Sequence, residues 1–233
     1  MAIWDGFLTE QDRKVVERRP RRLLNGFGER PALLIVDMNR GAIGENRPIS
    51  EQVDRYPNAC GSSAWATIRH MQKLIPIARE AGIPVIYSRH IFRATHDLPK
   101  AKDKNYLYSE LSPLSELQPE IAPEPGDLLI EKQRASVFFQ TGLIYVLLNK
   151  KIDTLLITGN STSGCIRATA IDGVGYEFKV SVLEECVFDR IELSHKASLF
   201  DLQFKYCDLV SLKKTYEYID TICKGHPYSS TGD

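Results

Sequence analysis

The sequence predicts an α/β fold: three layers, α-β-α, around a mostly parallel six-stranded sheet of Rossmann-like type. Three observations predict it. Short, continuous apolar runs recur along the chain, the pattern of strands buried on both faces. Longer stretches with helical periodicity separate them, so that strands and helices alternate from end to end. Three of the apolar runs lead into Asp37, Lys132 and Cys165, and in a parallel sheet ligands gather beyond the carboxyl ends of the strands.

Taken in order, residues 32–37 (ALLIVD) form the first expected strand and close on Asp37. Residues 38–61 hold glycine, proline and asparagine and read as a long loop, a common place for a binding or lid element. A helix over 64–81 stops at Gly82, and 84–88 (PVIYS) is the second strand. Residues 93–127, with several prolines and charges, read as irregular surface structure. The third strand, 127–132 (DLLIEK), ends on Lys132, and a helix over 139–149 leads to the fourth, 154–158 (TLLIT). A loop of Gly, Asn, Ser and Thr follows, and Cys165 opens a helix over 165–174. The fifth strand is 179–183, a helix covers 195–205, and a short strand (208–211) and a helix (213–222) complete the domain. Residues 1–30 are polar and arginine-rich, with Trp4, Phe7 and Leu8 as isolated apolar anchors. They are expected to form an N-terminal arm in subunit contact, before a domain over 31–223 and a C-terminal tail over 224–233.

Composition removes several classes of function. Thirty Lys and Arg balance thirty Asp and Glu, so no basic excess points to nucleic acid or to an anionic membrane surface. No apolar run reaches the roughly 18 residues needed to span a bilayer, and the N-terminus lacks the apolar core of a signal peptide. Cys60, Cys165, Cys186, Cys207 and Cys223 are scattered, without CxxC or Cys/His ligand spacing. Reduced thiols in a soluble, cytoplasmic protein are therefore expected.

A cysteine taken alone is most often a core thiol. Cys165 differs because the amides and dipole at a helix start favour a thiolate and can hold an oxyanion beside the sulfur. Asp37 alone could be a cap or an ion-pair partner, and Lys132 a solvated strand end. Together they have a mechanism: an acid takes the thiol proton and later returns it to a leaving amine, while a lysine keeps that acid ionised. Competing motifs fail. Residues 159–164 (GNSTSG) have the glycine spacing of a phosphate loop, but Cys165 stands where that motif needs lysine. No GxGxxG follows the first strand. Arg89-His90 and His96 lack an acid–histidine ligand pattern, and lone histidines such as these read as hydrogen-bonded surface groups.

Three segments, ALLIVDM around Asp37, LIEKQRASVFF around Lys132 and TGNSTSGCIRATAIDGVGY around Cys165, resemble the isochorismatase-like superfamily of cysteine hydrolases. The later segments ECVFDR and SHKASLFDLQFKYCDLVSL most resemble its N-carbamoylsarcosine amidohydrolase branch, with maleamate amidohydrolase close by. The resemblance implies Cys165 as nucleophile, Asp37 as general base then acid, and Lys132 as third member. It also implies a cis peptide at Asn160–Ser161, turning the Ser161 and Cys165 amides toward one oxyanion. Arg190 matches an arginine that holds a substrate carboxylate in the carbamoylsarcosine and maleamate enzymes. The segment 88–96 (SRHIFRATH) does not reproduce the acid–His–His metal set of the nicotinamidase branch, and isochorismatases proper lack the nucleophilic cysteine.

The expected function is hydrolysis of a C–N bond in a small carboxylate bearing a carbamoyl or primary amide group, with ammonia released. The expected partner is that small amide or ureido carboxylate; no cofactor and no metal are expected. The resemblance implies a homodimer or homotetramer. A maleamate-type amidase, or a non-catalytic binding protein on the same fold, is the alternative.

Overall fold

The structure, a computed structural model, describes residues 3–18, 25–93 and 107–225. Its sheet strands are β1 (Pro31–Val36), β2 (Val85–His90), β3 (Leu128–Lys132), β4 (Thr154–Asn160), β5 (Lys179–Phe188) and β6 (Asp208–Val210). The helices are α1 (Glu10–Arg18), α2 (Arg40–Ile43), α3 (Ser62–Glu80), α4 (Leu143–Asn149), α5 (Arg167–Gly175), α6 (Glu192–Asp201) and α7 (Leu212–Cys223). Across the sheet the order is β3-β2-β1-β4-β5-β6, and each neighbouring pair is parallel. The sheet is thus wholly parallel.

Every residue of β1 is buried, because successive side chains enter opposite layers. Leu33 and Ile35 pack with Met71 and Leu74 of α3 and with Tyr218 and Ile219 of α7. Ala32, Leu34 and Val36 pack with Leu143 and Leu147 of α4, Ala170 of α5 and Leu199 of α6. Each fully buried Leu or Ile contributes roughly 1.5–3 kcal/mol, so the two layers together explain why β1 carries no polar residue.

This order places the site. The strand sequence reverses between β1 and β4, which lie side by side while their following connections run to opposite faces. A crevice at such a switch point is where open parallel sheets bind ligands. Asp37 follows β1, and Cys165 follows β4.

Gly159 fits the two strands together. It sits at φ +108°, at a register shift between β4 and β5, and a Cβ there would lie 2.1 Å from the Val36 carbonyl oxygen. Only glycine admits that approach.

Several elements differ from the sequence reading. Strands β2, β4 and β5 run further toward the site than their apolar cores indicate. The loop at 38–61 contains α2 and a 3-10 turn, Ile49–Glu51. Its Asn39 side chain donates to the Ser115 carbonyl. Cys165 lies within a π-helical turn, Thr162–Ile166, that precedes α5, instead of being the first residue of that helix.

In the arm, α1 carries no buried residue, and its start is capped by Thr9, whose Oγ1 accepts from the Asp12 amide at 3.1 Å. Trp4 packs edge-on to Phe200, 5.8 Å between centroids, and Lys196 lies 4.8 Å above the Phe7 ring. The beginning of the arm therefore rests on its own chain. His96, and the tail from residue 226 onward, lie outside the described residues. No helix among the described residues is long and apolar enough to cross a membrane.

Candidate active site

Asp37, Lys132 and Cys165 meet. They come from the ends of three strands, and the turn after each strand end aims the group. Asp37 takes φ +50°, a left-handed conformation that aspartate tolerates better than most residues. Its amide donates to the Ser88 carbonyl at 3.0 Å, and its Oδ1 accepts from the Ser88 hydroxyl at 2.8 Å. The carboxylate is thereby held over the end of β2. Lys132 reaches the same place from β3, its side chain wholly buried. Its ammonium stands 2.5 Å from Asp37 Oδ2, and it donates to Cys165 Sγ at 3.3 Å and to the Arg134 carbonyl at 3.0 Å. Lys132 is therefore not the solvated strand end it could have been if taken alone.

The turn that carries Cys165 is tied down at each of its residues. Thr162 Oγ1 lies 2.8 Å from His195 Nδ1 on α6, and the Ser163 amide donates to Asp189 Oδ2 at 2.7 Å. The Gly164 and Ile166 amides both donate to the Ser161 carbonyl. A cis peptide joins Asn160 to Ser161. Cys165 is thus a half-buried member of a turn anchored by two neighbouring elements.

Electrostatics set the resting state. Burial pushes the Cys165 thiol up, to about 12; the Asp37 carboxylate adds to this, and the Lys132 ammonium works against it. At neutral pH the sulfur therefore carries its proton, beside a carboxylate that can receive it.

Residues that the sequence reading missed complete the surroundings. Ser88 and His90 sit at the end of β2, between Asp37 and Lys132; His90 is the register partner of Lys132. A ring nitrogen of His90, a carboxylate oxygen of Asp37 and Cys165 Sγ lie within 4.8 Å of one another. His90 is therefore a site residue, which corrects its reading as a surface group. The usable signal was the rule that found Asp37 and Lys132, since His90 ends its strand; the apolar run stops two residues short of it.

Asp37, His90 and Cys165 are donor types that can ligate a divalent metal. The arrangement does not suit one, because the Lys132 ammonium, against Asp37 and Cys165, would set its positive charge against a cation.

Arg190 is not brought into contact with the trio. Its guanidinium donates to the Pro57 carbonyl, in the loop that covers this end of the sheet. Its amide donates to Asp189 Oδ1 at 2.7 Å. Beside it Cys60 Sγ lies 3.8 Å from Asn160 Oδ1, and the Arg190 charge is felt at the Cys60 thiol. Arg190 thus follows the end of β5, held against the loop at 38–61. All five cysteines are free.

Comparison with known proteins accords with this geometry. The isochorismatase domain family matches residues 31–213, and the chain belongs to that family. It is 33% identical to maleamate amidohydrolase of Pseudomonas putida over 195 residues, covering 80% of this chain and 85% of that protein. It is 28% identical to N-carbamoylsarcosine amidase of Arthrobacter sp. over 205 residues, covering 84% and 74%. A cysteine hydrolase structure from Pseudomonas syringae pv. phaseolicola superposes with a TM-score of 0.74, covering 88% of this chain and 99% of that one at 23% identity. The family and the α/β architecture are those the sequence motifs imply.

Proposed function

We propose that the protein is a cysteine amidohydrolase of the isochorismatase family, acting on a small carboxylate that bears a primary amide or a carbamoyl group. The observation that carries the reading is the Lys132 ammonium, 2.5 Å from Asp37 Oδ2 and 3.3 Å from Cys165 Sγ at the switch point of the sheet. Asp37 takes the thiol proton as the sulfur attacks the carbonyl carbon. Lys132, paired with Asp37, balances the charge passing between oxygen and sulfur. The Ser161 and Cys165 amides, in the loop and turn after β4, are the proposed oxyanion donors. The tetrahedral species collapses as Asp37 protonates the leaving nitrogen, and ammonia departs from a thioester on Cys165. Water, deprotonated by Asp37, then attacks the thioester and restores the thiol. A carbamoyl substrate passes through a thiocarbamate instead, and its product breaks down to carbon dioxide and an amine.

The relatives support both amide types. Maleamate is a primary amide with a carboxylate; N-carbamoylsarcosine is a ureido acid. Arg190 is the proposed partner of the shared carboxylate, which would exchange with the Pro57 carbonyl for a guanidinium nitrogen. The proposal includes no cofactor, a cytoplasmic protein, and a homodimer or homotetramer.

Ammonia release from maleamate, N-carbamoylsarcosine, N-carbamoylglycine and succinamate, measured with wild type and Cys165→Ser, tests the reading. Wild type should release ammonia from at least one of them and the variant should lose at least ~100-fold in kcat. Equal rates in the two proteins would sink the nucleophile assignment, and no release from any member would sink the substrate class.

A further inference from the structure

The active site contains an acceptor that the mechanism above does not use. His90 Nε2 is buried and has no hydrogen-bond partner. Buried polar atoms are nearly always paired, so an unpaired one at an active site points to a missing ligand atom. The ring cannot easily turn away. It stacks on Tyr108, 4.4 Å between centroids at 20°, and meets Phe92 edge-on at 5.2 Å and 88°. Its other nitrogen donates to the Gln133 backbone, which fixes the proton on Nδ1 and leaves Nε2 with a lone pair. Burial first, and then the Lys132 ammonium, push the imidazole down to about 4, so the ring is neutral at pH 7.

We propose that His90 Nε2 accepts a hydrogen bond from the substrate's amide nitrogen and so makes the site selective for unsubstituted amides. The reasoning rests on the amidohydrolase reading above. A primary amide or terminal carbamoyl nitrogen carries two N–H donors. Two acceptors stand near the sulfur, the Asp37 carboxylate and the His90 ring, with a ring nitrogen, a carboxylate oxygen and Sγ within 4.8 Å of one another; Nε2 is the ring nitrogen left unpaired. In the bound amide one N–H faces each acceptor; in the tetrahedral species the His90 contact holds the nitrogen while its lone pair turns to the proton that Asp37 has taken from the thiol. An N-methylated amide leaves one acceptor facing a methyl group. An ester or a carboxylate offers no donor, and a carboxylate product sets its charge against the lone pair, which favours release.

Two measurements test this. The first needs no substrate: the ring-nitrogen chemical shifts of His90 in 15N-labelled protein at pH 7 should show the neutral Nδ1–H tautomer. A protonated Nε2 would overturn the proposal, since the atom would then be a donor. The second uses maleamate, N-methylmaleamate and monomethyl maleate with wild type and His90→Phe, which keeps a ring against Tyr108. The variant should lose roughly 10- to 100-fold in kcat/KM on maleamate, the cost of one unpaired buried hydrogen bond, and stay within about threefold on the ester. Equal losses on amide and ester, or no loss on the amide, would overturn the role of His90. Failure of wild type to act on any of the three, with the Nδ1–H tautomer present, would count against the amidohydrolase reading and leave the acceptor itself in place.

Discussion

A thiol and a carboxylate share one buried ammonium at the centre of this protein, and the thiol keeps its proton. That arrangement separates Cys165 from cysteines activated as resting thiolates, whose pKa is lowered by a histidine or a helix terminus. Here burial and Asp37 raise the thiol to about 12 against the pull of Lys132. A raised pKa means that the thiolate fraction of the free protein grows about tenfold per pH unit across the neutral range. Alkylation of Cys165 by iodoacetamide should therefore keep rising from pH 6 to pH 10, followed by mass spectrometry of its peptide. A plateau reached below pH 7 would mean a resting thiolate and contradict this electrostatic account. Asp37 has no such freedom to vary. With Lys132 buried against it, Asp37→Asn leaves an ammonium without its counter-ion, and loss of one partner of a buried pair costs about 3–5 kcal/mol. That variant should unfold at a lower temperature as well as lose turnover, which calorimetry and the ammonia assay check separately.

Gly159 shows how one close approach sets the spacing of the two strands that carry Asp37 and Cys165. Its backbone lies against Val36, the residue before Asp37, so β1 and β4 are in contact just below the site. Gly159→Ala would place a Cβ 2.1 Å from the Val36 carbonyl at a φ of +108°. The expected result is a destabilisation of about 2 kcal/mol or more, with Asp37 displaced; a denaturation midpoint equal to wild type would refute the contact. Elements like this also mark how far the sequence could be read. The strands were legible because each contains a short, mostly apolar run, as in ALLIV and TLLIT. Asp37, Lys132 and Cys165 were legible because each lies at, or just beyond, a strand end. The polar extensions of β2, β4 and β5 were not, since their pairing is set by neighbouring strands and not by local hydrophobicity. His90 was lost with the end of β2. The π-helical turn around Cys165 was hidden as well, because it depends on Thr162 meeting His195 and Ser163 meeting Asp189, contacts 33 and 26 residues apart in the chain.

At the scale of the whole molecule, the doubly wound order is what makes three distant segments one site. β1 and β4 bring Asp37 and Cys165 together at the reversal, and β3 supplies Lys132 across the end of β2. The arm adds a separate question. Trp4 and Phe7 rest on α6, while α1 exposes Val15 and buries none of its own residues. A second copy of the chain is the proposed cover for α1. Light scattering should give a mass of two or four chains, and a monomer at micromolar concentration would contradict the proposed assembly. The central claim, that Cys165 carries the acyl group between two half-reactions, is met most directly by trapping. Hydroxylamine added during maleamate turnover should divert the thioester to a hydroxamate, in wild type and not in Cys165→Ala. Ammonia released at full rate with no hydroxamate formed, or a hydroxamate formed equally by the variant, would contradict it.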